Sequence, residues 1–399
     1  MNEISTIAVL GAGTMGAGIV QVVAEAGLAV LVHDPQEGAT ERAQHRIEGF
    51  LGRKVEKEQL SADEATAAAS RIQPAGSLEE LGAADLVVEA IPEELELKRD
   101  AFRRLDAVAD EATILATNTS SLSVTRIASA TSRPGRVIGM HFFNPVPLMA
   151  LIEVIAGPTT DPEVTDTVAL LARRLGKTPV VAADTPGFIV NRIQRGYYLE
   201  ACRILEGGLA DVRTIDEAMR GIGFRLGPFE LADVVGTDVN LAAGLAIFEG
   251  FFGDPRYRPA QVQRRVVDAG RLGRKSNAGY YEYGAEGAQG ACWPALARTP
   301  LLPALDDPQI EARILAAIVN EAASAVADGV AAPDAIDTAM QLGTNWPEGP
   351  LAWGERIGLL YVVNTLDALH ASEPDGRYRV VPLLRSIGAA GGSFFPARG

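Results

Sequence analysis

Along the first half of the chain, short apolar runs closed by a polar residue alternate with stretches of helical period. Ile4–Leu10, the run ending at Asp34, ADLVVEAIP, ILATN, RVIGMHFF, ALIEVIAG and KTPVVAA read as strands. Between them lie helical patterns: Ile19, Val22 and Val23 before a C-capping Gly27, a charged stretch over residues 37–58, and SADEATAAASR. The last opens on Ser61 with Glu64 completing a capping box. Further helices come after Pro92, begin at SLSVTRIA and fill DPEVTDTVALLARRLG. Strands alternating with helices predict a parallel sheet covered on both faces. Residues 1–184 therefore read as a doubly wound domain extended by extra strands.

Asp184-Thr-Pro-Gly187 marks a boundary, after which FIVNRIQRGYYLEACRIL opens a helical region. Residues 185–283 form its first part, and residues 284–307, rich in Gly, Ala and Pro, read as a linker. Residues 308–399 are an internal repeat of the first helical part. The pattern from Arg192 to Met219 recurs from Arg313 to Met340 at a constant offset of 121, pairing Glu200 with Glu321, Gly208 with Gly329 and Asp216 with Asp337. GPF at 227 recurs as GPL at 349, and RYR at 256 recurs at 377. The second copy has Ala312 in place of Asn191 and nothing matching GRKSN, so it repeats the scaffold without the polar residues.

Three polar groups interrupt the apolar runs between Ile114 and Ile155: Ser120 after ILATN, His141 at the end of VIGMH, and Glu153 inside LIEVI. Burying an ionisable group alone is costly, so an imidazole and a carboxylate on neighbouring strands are expected to pair. A histidine held in this way is an oriented base near neutral pH; the bland alternative is a satisfied core histidine. Ser120 reads equally as an N-cap of the next helix.

The first strand runs into Gly11-Ala-Gly13-Thr14-Met15-Gly16, then a helix, then a strand closing at Asp34. This is the dinucleotide fingerprint in its required context. Gly11 permits the turn, Gly13 lets a pyrophosphate approach the backbone, and Gly16 lets helix and strand pack closely. The pyrophosphate then meets the helix N-terminus. Asp34 accepts from ribose hydroxyls and repels a 2′-phosphate, which predicts NAD rather than NADP.

GAGTMG, NTSSL, HFFNPVP, LIEVI and PGFIVNR, in this order and spacing, resemble the L-3-hydroxyacyl-CoA dehydrogenase family, from about Ile4 to Tyr283. The resemblance implies a Rossmann-type α/β domain followed by all-α domains, here two homologous ones. It puts the catalytic pair on His141 and Glu153, with substrate-site polar groups at Ser120 and at Asn191 in the cleft between domains. Its NAD contacts fall on Asp34, Glu93, Lys98, Ser120, Asn144 and Lys275. The glycine turn (Gly11, Gly13, Thr14, Met15, Gly16) and Asn118 complete the candidate cofactor site. Near Lys275 this chain has Ser276-Asn277-Ala278 where the family has Thr-Gly-x, which puts that loop's geometry in question. Lys54 and Lys57, in a stretch shared with Arg46 and Arg53, are candidate CoA contacts, against the plain reading of a solvated helix face.

Composition narrows the classes. The chain has 399 residues, 47% hydrophobic and 22% charged, as in ordinary globular proteins. A net charge of −15 argues against nucleic acid and anionic membranes as partners, so a CoA site must be a local basic patch. Cys202 and Cys292 lack metal-ligand spacing and fit a reducing compartment. With no signal-like segment or long apolar run, the expected location is cytoplasmic.

The expected activity is NAD-dependent oxidation of an (S)-3-hydroxyacyl-CoA to the 3-oxoacyl-CoA, with 3-hydroxybutyryl-CoA or 3-hydroxyadipyl-CoA as substrate. The GFRLGPFELADVVGTDVN segment and the repeated helical domain look most like the dehydrogenases of phenylacetate catabolism, which act on 3-hydroxyadipyl-CoA. An arginine such as Arg225 is a candidate partner for the second carboxylate of that substrate. The alternatives are a dehydrogenase of a free sugar acid of the gulonate type and a non-catalytic NAD-binding protein. The tandem helical domains are expected to pack as an intramolecular pseudo-dimer, leaving higher assembly open to another surface.

Overall fold

The computed structural model describes residues 4–298 and 303–395 and divides into two compact units, Met1–Phe188 and Ile189–Gly399. The first unit runs β1 (Thr6–Leu10), α1 (Thr14–Glu25), β2 (Ala29–His33), α2 (Ala39–Glu56), α3 (Ala62–Ser70) and β3 (Ile72–Pro74). It continues through β4 (Leu86–Glu89), α4 (Leu95–Val108), β5 (Ile114–Thr117), α5 (Val124–Ala128) and β6 (Val137–Phe142). β7 (Leu151–Ala156), α6 (Pro162–Arg174) and β8 (Thr178–Ala183) complete it.

These strands form one sheet in the order β3-β2-β1-β4-β5-β6-β7-β8. All neighbours are parallel except β6 and β7. β1, β4, β5 and β6 are almost wholly buried apolar runs, as strands covered on both faces must be. The order reverses direction between β1 and β4, and the crevice at such a switch point is where open α/β sheets bind ligands. This is the expected Rossmann-type sheet with extra strands. The capping box of Ser61 and Glu64 also forms at the start of α3.

The second unit is helical: α7 (Val190–Glu206), α8 (Val212–Gly221), α9 (Pro228–Val235), α10 (Thr237–Gly250) and α11 (Gln261–Asp268). A small antiparallel pair, β9 (Tyr281–Tyr283) and β10 (Gln289–Cys292), precedes α12 (Asp307–Ala327), α13 (Pro333–Thr344), α14 (Pro350–Ile357), α15 (Leu359–Ser372) and α16 (Pro382–Ala390). The stretch expected to be a linker is thus not bare connection where it is described. β10 pairs with β9, the Trp293 N–H donates to the Tyr280 carbonyl, and Leu296 is buried. β10 shows almost no burial, so no apolar alternation marks it in the sequence.

Residues 121 apart make matching contacts in this unit. Arg192 Nε donates to Glu321 at 2.6 Å, and Arg313 Nε donates to Glu200 at 2.8 Å. The hydroxyls of Tyr257 and Tyr378 donate to Glu321 and Glu200 respectively. Asp216 accepts from the N–H groups of Phe229 and Glu230, as Asp337 does from Leu351 and Ala352. α7 packs on α12 so closely that a Cβ on Gly196 would lie 3.0 Å from the Ala317 backbone.

Candidate active site

Three strand ends build the first half of the site. Gly11 takes φ +104°, and a Cβ there would lie 2.6 Å from the Ala90 carbonyl oxygen; one on Gly16 would strike the Gly11 carbonyl. Side chains are therefore excluded at both positions. At Gly13 the same Cβ would meet nothing within 4 Å, so the loop has open space beside it. No side chain caps α1 and no acid sits in its first turn, leaving its N–H groups to an anion. Asp34 follows β2, and its carboxylate accepts from Ala12 N at 2.7 Å and Gln36 N at 2.8 Å. These features fit the pyrophosphate and ribose of a dinucleotide. Arg46, reaching from α2 to the Ala12 carbonyl at 2.9 Å, also holds this loop; the sequence offered it only within a basic stretch, as a solvated face or a CoA contact.

His141 lies near the end of β6, and its register partner on antiparallel β7 is Glu153. Directly opposed residues project to the same face of a sheet, so the strands themselves create the pair. Nδ1 of His141 stands 2.6 Å from Oε2 of Glu153, with the imidazole 6% exposed and the carboxylate fully buried. A carboxylate only accepts, so in the neutral imidazole Nδ1 carries the proton and Nε2 the lone pair. The rings of Phe143 and Phe188 pack around the imidazole at 4.4 and 5.9 Å between centroids.

Beyond β5, Asn118 Oδ1 accepts from Phe142 N at 2.9 Å, tying this end to that of β6. Glu93 Oε1 accepts from the backbone N–H groups of Ser120 and Ser121 at 2.8 and 3.0 Å, and from Thr119 Oγ1 at 2.7 Å. From the other side, Asp184 accepts from Ser123 Oγ and from the N–H groups of Val124 and Thr125. Ser123, rather than Ser120, is the side-chain N-cap of α5, which leaves Ser120 on the loop ahead of the helix. Lys177 fixes the loop between β6 and β7, which carries exposed Asn144, by donating to the carbonyls of Val146 and Met149. Burial pushes the Lys177 ammonium below its ordinary pKa.

The lysines fall out unevenly. Lys98 is 1% exposed and faces Glu89 and Glu93. Lys54 pairs with Glu25 at 2.7 Å, and Lys57 is exposed at the end of α2. In the helical unit, half-buried Asn191 lies in the first turn of α7 with its carbonyl accepting from Arg195, while Lys275 meets both oxygens of Asp238 at 2.7 Å. The unusual Ser276-Asn277-Ala278 loop closes without glycine because Asn277 takes φ 57°, and asparagine tolerates that left-handed region better than most residues.

Comparison with known proteins agrees with this geometry. The family model for the NAD binding domain of 3-hydroxyacyl-CoA dehydrogenase matches residues 6–185, and that for its C-terminal domain matches 187–283 and again 310–393. The chain belongs to the 3-hydroxyacyl-CoA dehydrogenase family. It is 37% identical to a 3-hydroxyadipyl-CoA dehydrogenase of Escherichia coli, over 96% of this chain and 98% of that one. It is 43% identical to a probable 3-hydroxybutyryl-CoA dehydrogenase of Bacillus subtilis, over 70% of this chain and 98% of the relative. The crystal structure of a 3-hydroxybutyryl-CoA dehydrogenase from Escherichia coli superposes with a TM-score of 0.90 at 35% identity, covering 98% of this chain and 99% of that one. As a member of this family, the chain carries an NAD-binding domain on its first unit. Among the described residues, no single helix is long and apolar enough to cross a membrane.

Proposed function

We propose that this dehydrogenase oxidises the 3-hydroxyl of an (S)-3-hydroxyacyl-CoA to a ketone, with His141 as the base. The observation that carries the reading is the 2.6 Å contact between His141 and Glu153 on paired strands of the NAD-binding unit. NAD, when bound, supplies the hydride acceptor. His141 Nε2 takes the hydroxyl proton, and Glu153 stabilises the imidazolium and fixes the plane of the ring. Ser120 and Asn191 hydrogen-bond the reacting oxygen or the thioester carbonyl. Gly13, Asp34, Glu93 and Asn118 define the cofactor side, with Asn144 and Lys275 as further contacts.

The length of the match to the 3-hydroxyadipyl-CoA enzyme, which spans both helical copies, favours a dicarboxylic acyl chain over a short one. Residues 310–393 act as the packing partner of the first helical copy, supported by the matched Arg192–Glu321 and Arg313–Glu200 bonds. Steady-state kinetics on 3-hydroxybutyryl-CoA, 3-hydroxyadipyl-CoA and gulonate with NAD test the reading. Turnover confined to the CoA thioesters, with the higher kcat/KM on the adipyl substrate, is the expected result. Gulonate oxidation, or NAD binding without turnover of any thioester, contradicts it.

A further inference from the structure

Glu89 closes β4 with a carboxylate that is 0% exposed. Such a group is costly unless donors surround it, and three do. Lys98 Nζ lies at 2.6 Å, Thr117 Oγ1 at 2.7 Å and Ile91 N at 2.7 Å. Thr117 is its register partner on β5, so the sheet sets that contact as it sets the His141–Glu153 one.

Lys98 is as deeply placed and turns its ammonium inward, to Glu89, to the Ile91 carbonyl at 3.2 Å and to Glu93 Oε2 at 3.3 Å. Glu93 then gathers the loop after β5, accepting from the Ser120 N–H and hydroxyl at 2.8 and 3.2 Å and from those of Ser121 at 3.0 and 3.1 Å. Burial pushes the Glu89 carboxyl above the ordinary range against the pull of Lys98. Burial acts on Glu93 too, but Lys98 and the loop donors outweigh it and hold that carboxyl low. One cation thus serves two carboxylates, the inner one anchoring it and the outer one holding the loop.

We propose that Glu89 is a positioning residue for the reaction, acting through Lys98 and Glu93 to fix Ser120. Lys98 then links the buried carboxylate to the one that holds the serine loop. The inference rests on the reading of Ser120 as a group on the reacting oxygen.

A double-mutant cycle on the full chain tests it. Glu89→Gln keeps the shape and removes the anchoring charge; it should lower kcat about tenfold, the scale of a small misplacement of a reacting group. KM for the acyl-CoA should change less than about twofold. In a Ser120→Ala background the same substitution should have almost no further effect on kcat, because the group it positions is gone. Effects that multiply overturn the relay. An unchanged kcat in Ser120→Ala alone overturns the reading of Ser120 instead. If Glu89→Gln does not fold, Thr117→Val, which removes one donor and no charge, is read by the same cycle: a kcat loss that vanishes without Ser120 supports the relay, and a multiplying loss overturns it.

Discussion

Glu153 meets His141 across an antiparallel strand pair, Oε2 to Nδ1 at 2.6 Å, each the other's register partner. The contact holds the ring through one nitrogen and leaves the other for the proposed role as base. Glu153→Gln keeps the shape but supplies an amide that can face Nδ1 with either oxygen or nitrogen, so the tautomer is no longer imposed. We expect kcat to fall about a hundredfold or more, the range of positioned acid–base catalysis, with NADH affinity unchanged. Stopped-flow measurement of NADH formation checks this; a rate within a few-fold of wild type contradicts the orienting role.

Asp34 stands against the glycine loop, bonded to Ala12 N. A 2′-phosphate placed near it meets a like charge, worth roughly 1–4 kcal/mol at contact distance near a protein surface. The ratio of kcat/KM for NAD over NADP should therefore exceed about tenfold, and Asp34→Asn should reduce it. Equal values for the two cofactors contradict the assignment.

Arg192 is fully buried and bonded to Glu321, Ser324 and Asp328, and Arg313 reaches Glu200 and Tyr378. Removing one member of a buried pair leaves the other uncompensated, at about 3–5 kcal/mol. Arg192→Ala and Arg313→Ala should each destabilise the helical unit on that scale in denaturant titrations, Arg192→Ala more. Losses under about 1 kcal/mol would show that these bonds do not hold the two copies together.

Much of this was legible in the sequence, and each exception has a physical cause. Ile4–Leu10, GAGTMG and Asp34 announce the cofactor half because strand, turn and acid are neighbours in the chain. The His141–Glu153 pair was legible from the cost of burying either group alone. By the same logic Glu89, an acid closing a buried run, called for a partner, but its side-chain donors come from α4 and β5 and no local spacing identifies them. Arg46 was equally hidden, since only the fold brings α2 to the glycine loop. β10 escaped because an exposed strand carries no apolar alternation.

Asp337 offers a test by pH. Burial pushes its pKa up to about 6 despite the Leu351 and Ala352 N–H groups, and the carboxylates of Glu348 and Glu355 push the same way. The folded value lies above the unfolded one, so its contribution to stability is complete below about pH 4 and is lost as pH rises through about 6. That loss corresponds to roughly 3 kcal/mol. Melting temperatures from pH 4 to 7 should show wild type losing ground to Asp337→Asn as pH rises; parallel curves contradict the assignment.

If His141 is the base, the reaction should stop with its imidazole while the cofactor still binds, and His141→Gln separates the two. Glutamine fills the site and hydrogen-bonds but takes no proton at neutral pH. Turnover of a 3-hydroxyacyl-CoA and NADH binding by fluorescence should be measured on one preparation of the variant. The expected result is a fall in kcat of about a thousandfold with NADH affinity unchanged. A variant that keeps more than about a tenth of the wild-type rate, with its cofactor bound, contradicts the assignment of His141 as the base.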